Sequence, residues 1–230
     1  MQRFLTLSLF FFLTFSVNAQ FFLAGAHINS SISTAKLRNE VGSVFLPSIS
    51  GVFLYEFRNT PLQVGLEFGY GMYGSKLEKR TDLFQGSNDE LRLRRNNNMI
   101  TGMVTMRYLP LLNTKLTPFL EAQFGANYLY TRYKIRENID DEAFEVATEH
   151  KDWTLAYRLG AGLQIPLEFW DHSTKLEFKT TYQNSNSFRF LTKGDVNYLP
   201  DEGVFEYNFQ RAPLQLVTFS LGIIIYDLFY

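Results

Sequence analysis

The stretch "LQVGLEFGYGMYG", Leu62–Gly74, decides the fold. Val64, Leu66, Phe68, Tyr70 and Met72 fall on one side of an extended chain, and Gln63, Gly65, Glu67, Gly69 and Gly71 fall on the other. Successive side chains of a strand point to opposite faces, so alternation held over about ten residues reads as a strand with one apolar and one polar face.

The pattern recurs. In "NMITGMVTMRYL" (Asn98–Leu109), Ile100, Val104, Met106 and Tyr108 oppose Thr101, Thr105 and Arg107. In "PFLEAQFGANYLY" (Pro118–Tyr130), Leu120, Ala122, Phe124, Ala126, Tyr128 and Tyr130 oppose Glu121, Gln123, Gly125 and Asn127. In "DWTLAYRLGAGLQI" (Asp152–Ile165), Trp153, Leu155, Tyr157, Leu159 and Leu163 oppose Thr154, Arg158, Gly160, Gly162 and Gln164. In "TKLEFKTTYQN" (Thr174–Asn184), Leu176, Phe178 and Tyr182 oppose Lys175, Glu177, Lys179, Thr181 and Gln183. "QFFLAGAHINS" from Gln20, "FLPSISGVFLYEF" from Phe45 and the closing "TFSLGIIIYDLFY" (Thr218–Tyr230) complete a set of eight.

The connectors alternate strictly between long and short. "RNTP", "PLLNTKLT" and "EFWDHS" are short; "SISTAKLRNEVG", "KLEKRTDLFQGSNDELRLRRN", "KIRENIDDEAFEVATEHK" and "FLTKGDVNYLPDEGVFEYN" are long. An up-and-down barrel of the outer membrane has this order, with tight periplasmic turns and long external loops. A soluble lipocalin-type barrel has a similar strand count but hides its apolar face inside. Two features favour the membrane form. Charged Glu67, Arg107, Glu121, Arg158, Lys175 and Glu177 sit at mid-strand on the polar face. The apolar face carries aromatics at strand ends (Tyr55, Phe57, Tyr108, Tyr128, Tyr130, Trp153), as a lipid-facing band with girdles does. The expected fold is all-β: an eight-stranded antiparallel up-and-down transmembrane β-barrel.

Composition agrees. The 230 residues suffice for one domain, and a formal net charge of -1 makes no case for nucleic acid. The lack of cysteine excludes a disulfide framework and Cys-based zinc or redox sites. An aromatic share of 17%, with 23 Phe and 13 Tyr, suits strands and membrane interfaces. Arg3, the apolar run Phe4–Phe15 and Val17–Ala19 read as a signal peptide over residues 1–19, which leaves a barrel domain at 20–230. After residue 20 no apolar run approaches the about 20 residues of a spanning helix.

Eight strands enclose an interior just filled by side chains. The polar face is therefore expected to form a lumen charge network of Glu56, Glu67, Glu121 and Glu177 against Arg107, Arg158, Lys175 and Lys179. A turn centred near Asn113–Lys115 would set Arg107 directly opposite Glu121. The network reads as a structural polar plug, with a proton or ion path as the rival reading; the need of buried charges for partners favours the plug.

No catalytic constellation, cofactor motif or metal-ligand spacing stands out. His27 is expected in the lumen, His150 in a long loop and His172 in a short turn. His27 with Ser30 or Ser31 is the one His–Ser candidate, and it lacks an evident carboxylate to orient it. The second long link is basic (Lys76, Lys79, Arg80, Arg92, Arg94, Arg95) with Glu78, Asp82, Asp89 and Glu90 interleaved; it reads as a solvated loop or as a contact to lipopolysaccharide phosphates. The third is acidic (Glu137, Asp140, Asp141, Glu142, Glu145, Glu149), and solvation or a short helix is expected there rather than a metal site. The aromatic-rich fourth link reads as a partner surface.

The ending "SVNAQ" of the leader, the strand "FFLAGAHINSS" and the closing "APLQLVTFSLGIIIYDLFY" resemble the small outer-membrane β-barrel family, the porin-family barrels typical of Bacteroidota. The resemblance implies residence in the outer membrane and a closing-strand signal for the outer-membrane assembly machinery, to which Ser220, Gly222, Ile225 and Phe229 or Tyr230 conform, with Asp227 in the final hydrophobic slot. It implies a structural or interaction role, with contacts to outer-membrane lipid including lipopolysaccharide and to envelope proteins. The alternatives are an accessory barrel of a secretion system, a narrow channel and a lipid-modifying enzyme.

Overall fold

The computed structural model describes residues 22–58, 60–81, 90–110, 116–137, 143, 145–167, 173–190, 196–199 and 204–226. The expected signal peptide, His172 and the ending Asp227–Tyr230 lie outside the described residues.

The alternating segments form β1 (Phe22–Ser33), β2 (Phe45–Glu56), β3 (Leu62–Arg80), β4 (Leu91–Tyr108), β5 (Thr117–Arg136), β6 (Glu145–Pro166) and β7 (Thr174–Ser185). The last long link adds β8 (Ser187–Phe190), β9 (Val196–Leu199), β10 (Val204–Tyr207) and β11 (Gln210–Pro213), before β12 (Leu216–Ile225). Eight strands close in the order β1-β12-β7-β6-β5-β4-β3-β2. All the neighbours are antiparallel, and β12 returns to β1 in the register His27↔Gly222 and Ser31↔Thr218. This is the expected up-and-down barrel. Closure removes the two open edges that a flat sheet would expose.

Burial assigns the faces. Ile28, Phe53, Phe68, Val104, Leu120, Phe124, Leu155, Leu159 and Phe219 are exposed, Ile28 at 72%, and they girdle the barrel. Glu67, Arg107, Glu121, Glu177 and Lys179 are buried, Arg107 and Glu177 at 0%. A continuous apolar outside is far larger than the patches soluble monomers tolerate, and it is the surface of a protein whose solvent is lipid. Aromatic side chains mark its margins. Phe22, Tyr55 and Phe57 stack edge-on at the short-turn end, with ring centroids 5.4 and 5.1 Å apart. Tyr128 meets Trp153 at 4.7 Å and Tyr130 at 5.6 Å toward the long-loop end. No helix among the described residues is long and apolar enough to cross a membrane.

The long links differ from expectation in three places. The described parts of the second and third are largely strand, because β3–β6 run for 19, 18, 20 and 22 residues while β1, β2, β7 and β12 have 12, 12, 12 and 10. Past Gly71 of β3 and Ala156 of β6, where the ladders to β2 and β7 end, these four strands pair with one another and continue the wall beyond the rest of the rim. The acidic link was expected to be solvated or a short helix; no helix occurs among its described residues, where β6 begins at Glu145. A helix appears instead in the first link, α1 (Ala35–Val41), which buries Leu37.

Two glycines mark close approaches of neighbouring strands. A Cβ on Gly65 would fall 1.8 Å from the Phe53 carbonyl oxygen, and one on Gly125 would fall 2.0 Å from that of Gly102. Only the missing side chain lets the wall curve so tightly there.

An arginine on the belt is costly in lipid. Phe124→Arg is expected to cost about 2–4 kcal/mol in urea titrations of the barrel in vesicles, whereas Phe124→Leu should change the midpoint little.

Candidate functional site

Three carboxylates and three cations meet inside the barrel. Arg107 on β4 stands directly opposite Glu121 on β5. Its Nε donates to Glu121 Oε2 at 2.5 Å, and its Nη1 and Nη2 donate to the two oxygens of Glu177, each at 2.8 Å. The guanidinium thus spans the lumen from β4 to β7 as a bidentate fork, and it lies 4.6 Å from the centroid of the Phe119 ring. Lys179 Nζ donates to Glu67 at 2.6 Å and to Glu121 at 3.1 Å. Arg158 Nη1 reaches Glu67 at 3.2 Å while its Nε donates to Gln183 at 2.6 Å. Glu67, Glu121 and Glu177 therefore balance Arg107, Arg158 and Lys179. Neutral donors fill the remaining lone pairs: the Gln123 amide donates to Glu67 and Glu121, and Gln164 to Glu177.

The other two sequence-predicted members stand apart. Glu56 accepts from Gln63 at 2.7 Å, and the Lys175 ammonium lies 4.0 Å over the Tyr226 ring. The register puts both closer to the short turns, where they line the inner mouth. His27 was expected in the lumen without a carboxylate. Its Nε2 is 2.9 Å from Glu177 Oε1. Sequence order gave no sign of this contact, because 150 residues separate the pair and only the β1–β12–β7 adjacency brings them together. The same geometry removes the His–Ser pairing. Ser30 shares the outward face of β1 with Ile28, and the Ser31 hydroxyl is hydrogen-bonded to Thr218 Oγ1 at 2.7 Å. No cluster of three or more metal-ligating side chains occurs among the described residues.

Above the charged layer the lumen is packed with smaller polar pairs: Asn29 with Ser50, Thr101 with Asn127, and Thr131 with Asn97. Among these pairs a cavity of about 20 Å³ adjoins the charged layer, lined by Asn29, Ser50, Glu67, Thr101 and Thr218. That is room for about one water, which needs some 10–15 Å³.

Outside, the extended wall carries positive charge on its lipid-side face. Along β5 the outward stripe reads Tyr128, Tyr130, Arg132, Lys134, Arg136. On β4 the same face carries Arg92 and Arg94, which pair in register with Arg136 and Lys134. Like charges directly opposite each other destabilise a sheet. Arg92 and Arg94 were expected in a loop, and none of Arg132, Lys134 or Arg136 stood out in the sequence. Continuing the period of two past Tyr130 would have found these three. On the neighbouring hairpin Lys79 pairs with Glu90, and that hydrogen bond and charge hold the Glu90 carboxyl below the usual carboxylate range.

No family model matches the sequence, and no curated protein matches it significantly. Solved structures resemble the fold distantly. Neisserial surface protein A is 11% identical, with 89% of this chain and 96% of that one covered and a TM-score of 0.39. A major outer membrane protein from Thermus thermophilus is 12% identical over 88% and 98%, with a TM-score of 0.41. The outer membrane protein OprG from Pseudomonas aeruginosa is 11% identical over 89% and 95%, with a TM-score of 0.42. Likeness this remote says nothing of ligand or partner.

Removing one member of a buried ion network strands the others. Arg107→Met is expected to lose about 3–5 kcal/mol in vesicle-based urea unfolding. Lys175→Met, at the inner mouth, should lose much less.

Proposed function

We propose that the chain is an integral outer-membrane barrel with an interaction role, of the small porin-family kind that its sequence resembles, and that the extended β3–β6 wall binds the phosphates of surrounding lipopolysaccharide. The observation that carries this reading is the outward stripe in which Arg132, Lys134 and Arg136 follow Tyr128 and Tyr130 along β5, beside Arg92 and Arg94. Aromatic rings settle at the headgroup level of a membrane. The next residues outward on the same face are then level with anionic headgroups beside the barrel. The cross-strand Arg94–Lys134 pair sets like charges face to face, which an anion between them relieves, and guanidinium groups suit phosphate oxygens well.

The lumen is a polar plug in this reading. Its three carboxylates and three cations balance across the charged layer, and the cavity that adjoins the layer, about 20 Å³, has room for about one water. β12, with Ser220, Gly222 and Ile225, serves as the strand that the assembly machinery reads; Phe229 and Tyr230 lie outside the described residues.

Purified protein titrated with lipopolysaccharide tests the reading. The double variant Arg94→Glu, Lys134→Glu should bind about tenfold more weakly or worse, a loss of about 1.4 kcal/mol or more, and wild-type binding should weaken with salt. Equal affinity of the two proteins, or undiminished binding to dephosphorylated lipopolysaccharide, would remove the proposal.

A further inference from the structure

The lumen changes character toward the long loops. Leu46, Met99, Leu129 and Leu216 turn inward there, and Leu37 of α1 with Phe188 and Phe190 of β8 close over them. A cavity of about 620 Å³ remains within this apolar cup. Proteins hold small molecules in pockets of about 300–1,000 Å³ lined mainly by apolar side chains with few polar groups.

The cup is open at its side, where β2 and β3 part. Their ladder ends at Ser48↔Gly71, although β2 runs on to Phe45 and β3 to Arg80. Both banks carry a sequence-encoded cause. Pro47 has no N–H to give a neighbouring strand. Across from it, the β3–β4 register shifts between Met72 and Gly74, so that Tyr73 is the extra residue of a bulge, and bulges turn a strand out of line. Val44–Leu46 on one bank and Met72–Ser75 on the other line the cavity. Phe45 and Met72 also continue the outward faces of Ile49 and Tyr70, so the gap opens beside the lipid-facing belt. Tyr73 buries its hydroxyl without a hydrogen-bond partner among the described residues.

We infer that this cavity binds a single acyl chain that slides in sideways between β2 and β3, with a carboxyl or ester oxygen accepting from Tyr73. A largely apolar wall with a buried spare donor at Tyr73, reached from the membrane, selects a molecule that already partitions into the bilayer and carries one polar end. The inference rests on the barrel lying in a bilayer and is independent of lipopolysaccharide binding by the basic wall. A fatty acid and one chain of a phospholipid share this chemistry.

Leucine-methyl NMR in phospholipid nanodiscs separates the two sources. Stearic acid with a nitroxide near its methyl end should broaden the cavity methyls of Leu129 and Leu214 as well as belt Leu120 and Leu159. A chain-labelled phosphatidylcholine that broadens the belt alone assigns the site to free fatty acid; one that also broadens Leu129 and Leu214 assigns it to a lipid chain. Either result supports the inference. Broadening of Leu120 and Leu159 by both probes, with Leu129 and Leu214 untouched, overturns it while leaving the membrane barrel intact. Pro47→Val restores a donor to the wall, and Ser43→Trp fills the exposed rim of the cavity. Each variant, checked for folding by its heat-modifiable gel shift, should lose the broadening at Leu129 and Leu214 and keep it at Leu120 and Leu159. Full retention in both overturns the lateral route.

Discussion

The pairing of β1 with β12 is the interaction on which the rest depends. Backbone N–H and C=O groups at bilayer depth have no water to bond, and leaving each unpaired costs several kcal/mol. Seven ladders join strands that are neighbours in the barrel wall; the eighth must join the two ends of the set, and it runs from Ala24↔Ile225 to Ser33↔Leu216. Once it forms, the inside and outside of every strand are settled together. The apolar side faces lipid, and the charged side has nowhere to go but the lumen.

That confinement explains the form of the lumen. An ion pair in low dielectric gains little unless its geometry is good and its spare lone pairs are filled. Arg107 meets the demand by reaching two carboxylates on different strands, and Gln123 and Gln164 supply the further donors. The arrangement joins opposite walls of the barrel, so it resists deformation as well as neutralising charge. A device of this sort stabilises only as a whole, because deleting one member leaves the others buried and unpaired.

The outer half follows different rules. With β3–β6 released from the short strands, their outward face passes from Phe and Leu through Tyr and Trp to Arg and Lys. Their inward face passes from ions through amides and hydroxyls to the apolar cup under α1 and β8. Where β2 lacks a donor at Pro47 and β3 bulges at Tyr73, the wall parts. The alternation of faces, the eight strands and the lumen position of Glu67, Arg107, Glu121, Arg158, Glu177 and Lys179 were all legible, since a period of two records which side a residue takes. The extent of β3–β6 was hidden because Lys76–Arg80 and Leu91–Asn97 alternate charge with Leu too weakly to separate strand from solvated loop. The helix α1 was hidden as well, since its seven residues carry no capping side-chain bond and bury one apolar residue, Leu37.

Local order in the chain thus determined the strands, their faces and, through the length of the turn after Leu109, the pairing of Arg107 with Glu121. Those relations reach no further than adjacent strands, so hydrophobic period and connector length suffice to encode them. Tertiary structure decided what crosses the barrel: Glu177 shared between Arg107 and His27, Lys179 bridging Glu67 and Glu121, Glu56 and Lys175 left at the inner mouth, and the gap between β2 and β3. Distances across a lumen depend on closure, strand tilt and stagger taken together, and no single segment of sequence carries them.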